Sequence, residues 1–127
     1  MLEVTFPGGV AVDVSVKGQT VHTDQPPPLG GGTAASPFDV FLASIAACAG
    51  FYALRFCQER GIATDDLRVS MDIERDEAKR LSAVKLHVRL PREFPEKYRD
   101  AIVRSIDHCA VKRAITDPPR FELDVVG

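Results

Sequence analysis

Ser36-Pro37-Phe38-Asp39-Val40-Phe41-Leu42-Ala43-Ser44-Ile45-Ala46-Ala47-Cys48-Ala49-Gly50 is the stretch that decides how this chain folds. Ser36 suits a helix N-cap, Pro37 the first helical position, and Asp39 the positive end of the helix dipole. Residues 38–57 are apolar on nearly every side, so the spacing predicts a helix buried over most of its surface. Ala43, Ala46, Ala47, Ala49 and Gly50 are small enough to let another backbone approach closely, and Gly61 is placed to end the helix. A chain of 127 residues with one small sheet has too little material to cover such a helix. A second copy of the chain is the simplest source of cover, so a homodimer is expected.

On the N-terminal side the pattern is that of strands. Val10, Val12, Val14 and Val16 alternate with smaller or polar residues, bounded by the turn signals Pro7-Gly8-Gly9 and Lys17-Gly18-Gln19. A third short strand near Thr20–Thr23 completes a meander. Residues 24–37, with Pro26-Pro27-Pro28 and Gly30-Gly31-Gly32, read as a long flexible loop. On the C-terminal side Leu67–Glu74 and Val84–Leu90 alternate as strands, joined by the charged connection Arg75–Arg80. Pro95 opens a second helix with Tyr98, Ile102 and Ile106 on one face, and the pattern breaks and restarts around Cys109. Pro118-Pro119 stops it, and Phe121, Leu123 and Val125 alternate in a closing strand. The order β-β-β-α-β-β-α-β describes one α+β domain over residues 1–127, without internal repeats.

Several classes of function are excluded by composition. A net charge of -2, with acidic and basic residues intermixed, does not suit a nucleic-acid surface. The apolar run Val40–Leu54 meets Arg55 and is short for a bilayer span, and Met1–Asp13 lacks the pattern of a signal peptide. A cytoplasmic chain with no membrane partner is expected, in which the three cysteines rest as thiols.

Each cysteine has a structural and a chemical reading. Cys48 belongs to the apolar fabric of the central helix, where a free thiol commonly just packs. Cys57 projects from another side of that helix and reads as structural. Cys109 stands where a helical turn restarts with Lys112 and Arg113 following, a setting that lowers a thiol pKa; packing at a helix end is its bland alternative. His22, His87 and His108 together with the cysteines lack the spacing of a zinc site. Ser36 and Ser44 lack a nucleophile elbow, and Gly30-Gly31-Gly32 lacks the Lys-Ser/Thr of a phosphate loop. Neither a metal nor a cofactor is expected.

The run from Gly30 to Cys48 resembles the loop-and-helix signature of OsmC/Ohr proteins: a glycine-rich loop, Ser-Pro, an acid, and an alanine-rich helix carrying a cysteine. Cys109-Ala110-Val111 is similar to the Cys-Pro-Val type motif late in that family's chain, and the strand order agrees. The resemblance implies an intertwined homodimer whose sheets wrap around two central helices, with active sites at the interface. It also implies that Cys48 reduces organic hydroperoxides, that Cys109 resolves the resulting sulfenic acid as a disulfide, and that an external dithiol (lipoyl-linked in Ohr) restores both thiols. Apolar hydroperoxides are the implied substrates. Asp39 is carried over as the candidate for the family's motif acid.

The chain departs from that pattern at two positions. Family members carry an arginine in the N-terminal strand region, whereas no arginine here precedes Arg55. Their glutamate directly follows the motif proline, a place held here by Phe38, with Asp39 next. His22 and Arg55 are the candidates to replace the arginine. Two other functions fit the residues: a non-catalytic dimer binding an apolar small molecule in its interface cleft, and a redox-sensing or structural thiol protein.

Overall fold

The valine alternation forms a strand, as a period of two requires on a half-covered sheet face. In the computed structural model, which describes all of Met1–Gly127, β1 (Glu3–Gly8), β2 (Ala11–Val16) and β3 (Gln19–Thr23) make an antiparallel meander in the order β1-β2-β3. Val14 pairs with Val4 on one side and Val21 on the other, while Asp13 lies opposite His22 on the reverse face. The turn between β2 and β3 places Lys17 (φ 49°) and Gly18 (φ 80°) in the left-handed region, as a two-residue hairpin with the sheet's own twist demands. The first turn falls one residue later than the sequence suggests. β1 runs through Pro7 to Gly8, and Val10 sits in the turn rather than in β2.

The glycine-rich stretch is organised rather than loose. Asp24, 4% exposed, accepts hydrogen bonds from the amides of Gln25 (2.8 Å) and Thr33 (3.1 Å) and from Thr33 Oγ1 (2.7 Å). Its own amide donates to Ala35 O at 3.2 Å. A side chain at Gly30 would place Cβ 2.3 Å from Gln25 O, so this close chain approach needs glycine there. Sequence reasoning credits these glycines with flexibility, whereas here they permit the closure of a small polar knot around a carboxylate.

That knot leads into helix α1 (Pro37–Glu59). The Asp39 amide donates to Ser36 Oγ at 3.1 Å and the Ser36 amide to Asp39 Oδ2 at 3.4 Å, a reciprocal capping box. At the other end Ile62 N donates to Cys57 O and Gly61 N to Gln58 O, with Gly61 at φ 65°; this is a Schellman close. The helix is longer than its central apolar run and reaches the length and composition of a membrane span. Its buried residues, Ile45, Ala49, Ala53, Phe56 and Cys57, nevertheless form a single stripe. Burial on most sides, expected from the sequence, is not supplied by one chain: Phe38 and Phe51 remain 42% and 56% exposed.

The chain falls into two compact units, Met1–Ser44 and Ile45–Gly127. In the second, the α1 stripe packs with Ile102 and Ile106 of helix α2 (Arg99–Asp107). A two-stranded antiparallel sheet, β4 (Arg68–Arg75) and β5 (Leu81–Arg89), contributes Val69, Leu86 and Val88 to the same core. Its opposite face carries Asp72, Glu74, Lys85 and His87, with a 2.7 Å Lys85–Glu74 ion pair. Phe56 meets Tyr98 edge-on and lies under the Arg60 guanidinium.

Two further differences from the sequence reading concern the C-terminal part. The second helical region divides into a single 3-10 turn (Glu96–Tyr98), α2, and α3 (Ala110–Thr116), with the break at His108–Cys109. The alternating segment Phe121–Val125 has no partner strand, and Phe121, Leu123 and Val125 are 87%, 95% and 93% exposed. An alternating strand needs a ladder to lie in, and the single chain offers it none.

Ile102, 1% exposed, is the keystone between α1 and the sheet. Ile102→Ala is expected to cost about 2–5 kcal/mol of stability, the range for truncating a buried aliphatic side chain. Urea denaturation would show it as a lower midpoint with an unchanged slope.

Candidate functional site

Cys48 and Cys109 meet because of how two elements are built. Cys48 stands on α1 one position before Ala49 of the buried stripe, which leaves its side chain half-buried. Cys109 is the N-cap of α3, with an extended backbone (φ -50°, ψ 124°) that turns the chain out of α2 before the helix resumes. The break leaves the first amides of α3 free of helical partners, and they need an acceptor.

The Cys48 sulfur faces the amides of Ala110 and Val111. Burial opposes its ionisation, but a hydrogen bond from the Cys109 thiol, with others from the Val111 and Ala110 amides, outweighs burial and holds its pKa below the ordinary cysteine range. Cys109 shifts the other way. Its own burial and its donation to Cys48 raise its pKa, against weaker support from the Lys112 and Val111 amides. The pair is therefore one thiolate-prone sulfur and one proton-holding sulfur, both free and unbridged.

The groups that hold the Cys48 sulfur are a thiol and two backbone amides, with no cation among them. Both candidates for the missing arginine are engaged elsewhere: Arg55 with Glu59 (3.4 Å) and Gln58 (2.9 Å), His22 with Asp13 (3.0 Å). Lys112 pairs with Asp107 at 2.6 Å. Cys57 is fully buried in the core, and burial pushes its thiol pKa up despite the nearby Arg60. Asp39 serves the capping box of α1. No cluster of His, Cys, Asp and Glu side chains is arranged to hold a metal ion.

A cavity of about 320 Å³ opens beside this pair, walled by Ile45, Val84, Leu86, Ile106, Ile115 and Cys109. A wider recess of about 690 Å³, near Asp65, Asp66 and Arg92, holds no cysteine. What sequence reasoning missed is the amide pair at the start of α3. Its signal was the broken helical pattern around Cys109, which spacing can locate but not aim.

A family model described as OsmC-like protein matches residues 30–124, a span that contains both sulfurs, the capped helix and the helix break. The chain belongs to the OsmC-like family. Among curated proteins none matches it by sequence. Among solved structures, this OsmC-like protein is similar to a putative osmotic stress induced and detoxification response protein from Psychrobacter arcticus (TM-score 0.73, 20% identity, 89% of this chain and 85% of that one). It is also similar to the organic hydroperoxide resistance protein OhrB of Bacillus subtilis (TM-score 0.57, 22% identity, 93% and 92%). A third similar structure is the organic hydroperoxide resistance protein OsmC from Legionella pneumophila (TM-score 0.56, 18% identity, 91% and 87%). At these identities the likeness is one of fold.

Ala110 gives a clean test of the amide donors, because proline is tolerated at the first helical position yet has no N–H. Ala110→Pro is expected to move the pH midpoint of Cys48 alkylation up toward the ordinary thiol value of about 8.5, with the fold intact by circular dichroism. In the unaltered protein, iodoacetamide is expected to label Cys48 at pH values where Cys109 stays protonated and Cys57 is inert.

Proposed function

We propose that this OsmC-like protein reduces organic hydroperoxides through Cys48 and Cys109. The observation that carries the reading is the Cys48 sulfur set against the Cys109 thiol and the Ala110 and Val111 amides, which hold its pKa below the ordinary cysteine range against its burial. The thiolate is the reactive form of cysteine, and this arrangement favours it without an arginine.

The Cys48 thiolate attacks the terminal oxygen of R–O–O–H, the O–O bond breaks, and the alkoxide takes a proton to leave as R–OH. Cys48 is oxidised by two electrons to a sulfenic acid. The Cys109 sulfur then attacks the Cys48 sulfur, its proton leaves with the hydroxyl as water, and a Cys48–Cys109 disulfide forms. An external dithiol reduces it by exchange. Cys109 is placed for this second role because its sulfur lies against that of Cys48. Asp39 acts as a positioning residue in this scheme, fixing the start of the helix that carries Cys48. The apolar walls beside the pair favour hydroperoxides of apolar compounds over hydrogen peroxide. A reducing cytoplasm fits two cysteines that must return to thiols.

The same reading includes a homodimer. One stripe of α1 is buried by its own chain, Val4 and Phe6 of β1 are 52% and 77% exposed, and the segment after Pro119 exposes four large apolar residues. Exposed apolar surface of this kind is what a partner copy covers.

With cumene hydroperoxide and a dithiol, the unaltered protein is expected to turn over and Cys48→Ser to fall to background. Cys109→Ser is expected to consume one equivalent and stall as the sulfenic acid, trapped by dimedone. Equal inertness of the unaltered protein and Cys48→Ser would remove the reading. Light scattering on a sizing column is expected to give twice the chain mass of 13.9 kDa.

A further inference from the structure

The proposed function leaves open which sulfur of the disulfide the reductant attacks, and the two sulfurs have different surroundings. Cys48 is half-buried and is not part of the cavity wall. Cys109 is 2% exposed yet forms part of the wall of the roughly 320 Å³ cavity, with Ile45, Leu86, Ile106 and Ile115 around it. That volume suits a small molecule, and its lining suits an uncharged one. The only charges in the wall, Lys112 and Asp107, are paired with each other at 2.6 Å and half-exposed or more.

Disulfide exchange proceeds by attack on one sulfur and departure of the other. A nucleophile that arrives through the cavity meets Cys109, and the sulfur it displaces is Cys48. We propose that the Cys48–Cys109 disulfide is opened from this side: an apolar dithiol lodges among Ile45, Leu86, Ile106 and Ile115, and its thiolate attacks the Cys109 sulfur. The proposal rests on the disulfide of the preceding section.

The bonds are accounted for in two exchanges. In the first, the reductant's sulfur bonds to Cys109, the Cys48–Cys109 bond breaks, and Cys48 leaves as a thiolate. In the second, the reductant's other thiol attacks its own sulfur in the mixed disulfide, Cys109 departs and takes up a proton, and the reductant closes as a cyclic disulfide. Two electrons pass from the dithiol to the protein. The chemistry of the leaving group agrees with this direction, since exchange is faster when the departing sulfur is the better-stabilised thiolate. That sulfur is Cys48, set against the Ala110 and Val111 amides; the Cys109 proton is gone once the disulfide has formed. A charged peptide thiol such as glutathione would have to shed water from ionised groups among isoleucines and leucines, so it is a poor reductant by this route.

The test separates this inference from the peroxide reading by forming the disulfide with diamide, which does not depend on hydroperoxide reactivity. Oxidised protein is then treated with one equivalent of 1-butanethiol, quenched in acid, alkylated and mapped by peptide mass spectrometry. The expected product carries butanethiol on Cys109 and the alkyl group on Cys48. Butanethiol on Cys48 overturns the proposal, as does failure of diamide to join Cys48 to Cys109. If the thiol lands on Cys109 while cumene hydroperoxide leaves the protein unoxidised, the inference stands and the peroxidase reading falls. Ile115→Trp fills the cavity from a position 45% exposed, and is expected to slow reduction by butanethiol on the order of tenfold by obstructing the attack geometry. An unchanged rate for that variant overturns the cavity as the route.

Discussion

The structure depends on one constraint, the need to cover a 23-residue helix that is apolar on nearly every side. A helix in water gains little from its own hydrogen bonds and is held mainly by the packing of its apolar surface. The second unit supplies that packing along one stripe, through Ile102, Ile106 and the inward residues of β4 and β5. The capping box at Ser36 and Asp39 and the Schellman close at Gly61 set where the helix begins and ends. Those limits fix where Cys48 stands beside the stripe.

The sulfur pair is a balance between two effects of the same burial. Desolvation favours the neutral thiol on both cysteines and is the largest influence on each. Hydrogen bonds then separate them, because a donated bond stabilises the thiolate that accepts it and the thiol that makes it. The donors facing Cys48 outweigh its burial, whereas Cys109, as the donor of the pair, is held as the thiol. The lowered pKa of Cys48 adds stability above the ordinary thiol pKa, lost as pH falls through the lowered value. The raised pKa of Cys109 adds stability below the ordinary value, lost as pH rises through the raised one. Of the two sulfurs, Cys48 is therefore the one that ionises at the lower pH.

The helix was legible in the sequence because its signals are local: Ser36-Pro37 at one end, Gly61 at the other, and an apolar run between them. The hairpin strands were legible for the same reason, although Val10 fell in the turn once β1 continued through Pro7 and Gly8. The knot around Asp24 was not legible, since glycines that permit close approach and glycines that permit motion look alike in a sequence. The pairing of Cys48 with Cys109 was legible by family resemblance but not by spacing, because it joins residues far apart in the chain. The absence of a cation at Cys48 follows the lack of an arginine before Arg55, but the amides that face the sulfur are backbone atoms, which no residue type announces. The Phe121–Val125 alternation marks a strand in search of a ladder, a property that a single chain leaves unanswered.

The break between α2 and α3 has a consequence for how such a site can change over generations. Donors that belong to the main chain are copied into every variant whatever side chain is written at Ala110 or Val111, with proline the sole exception. A thiol held this way is insulated from most point substitutions around it, whereas one held by an arginine can be lost in a single codon. The position after Cys109, where the related motif has a proline and this chain has alanine, is therefore a place where one change adds or deletes a donor while leaving the surrounding surface almost untouched.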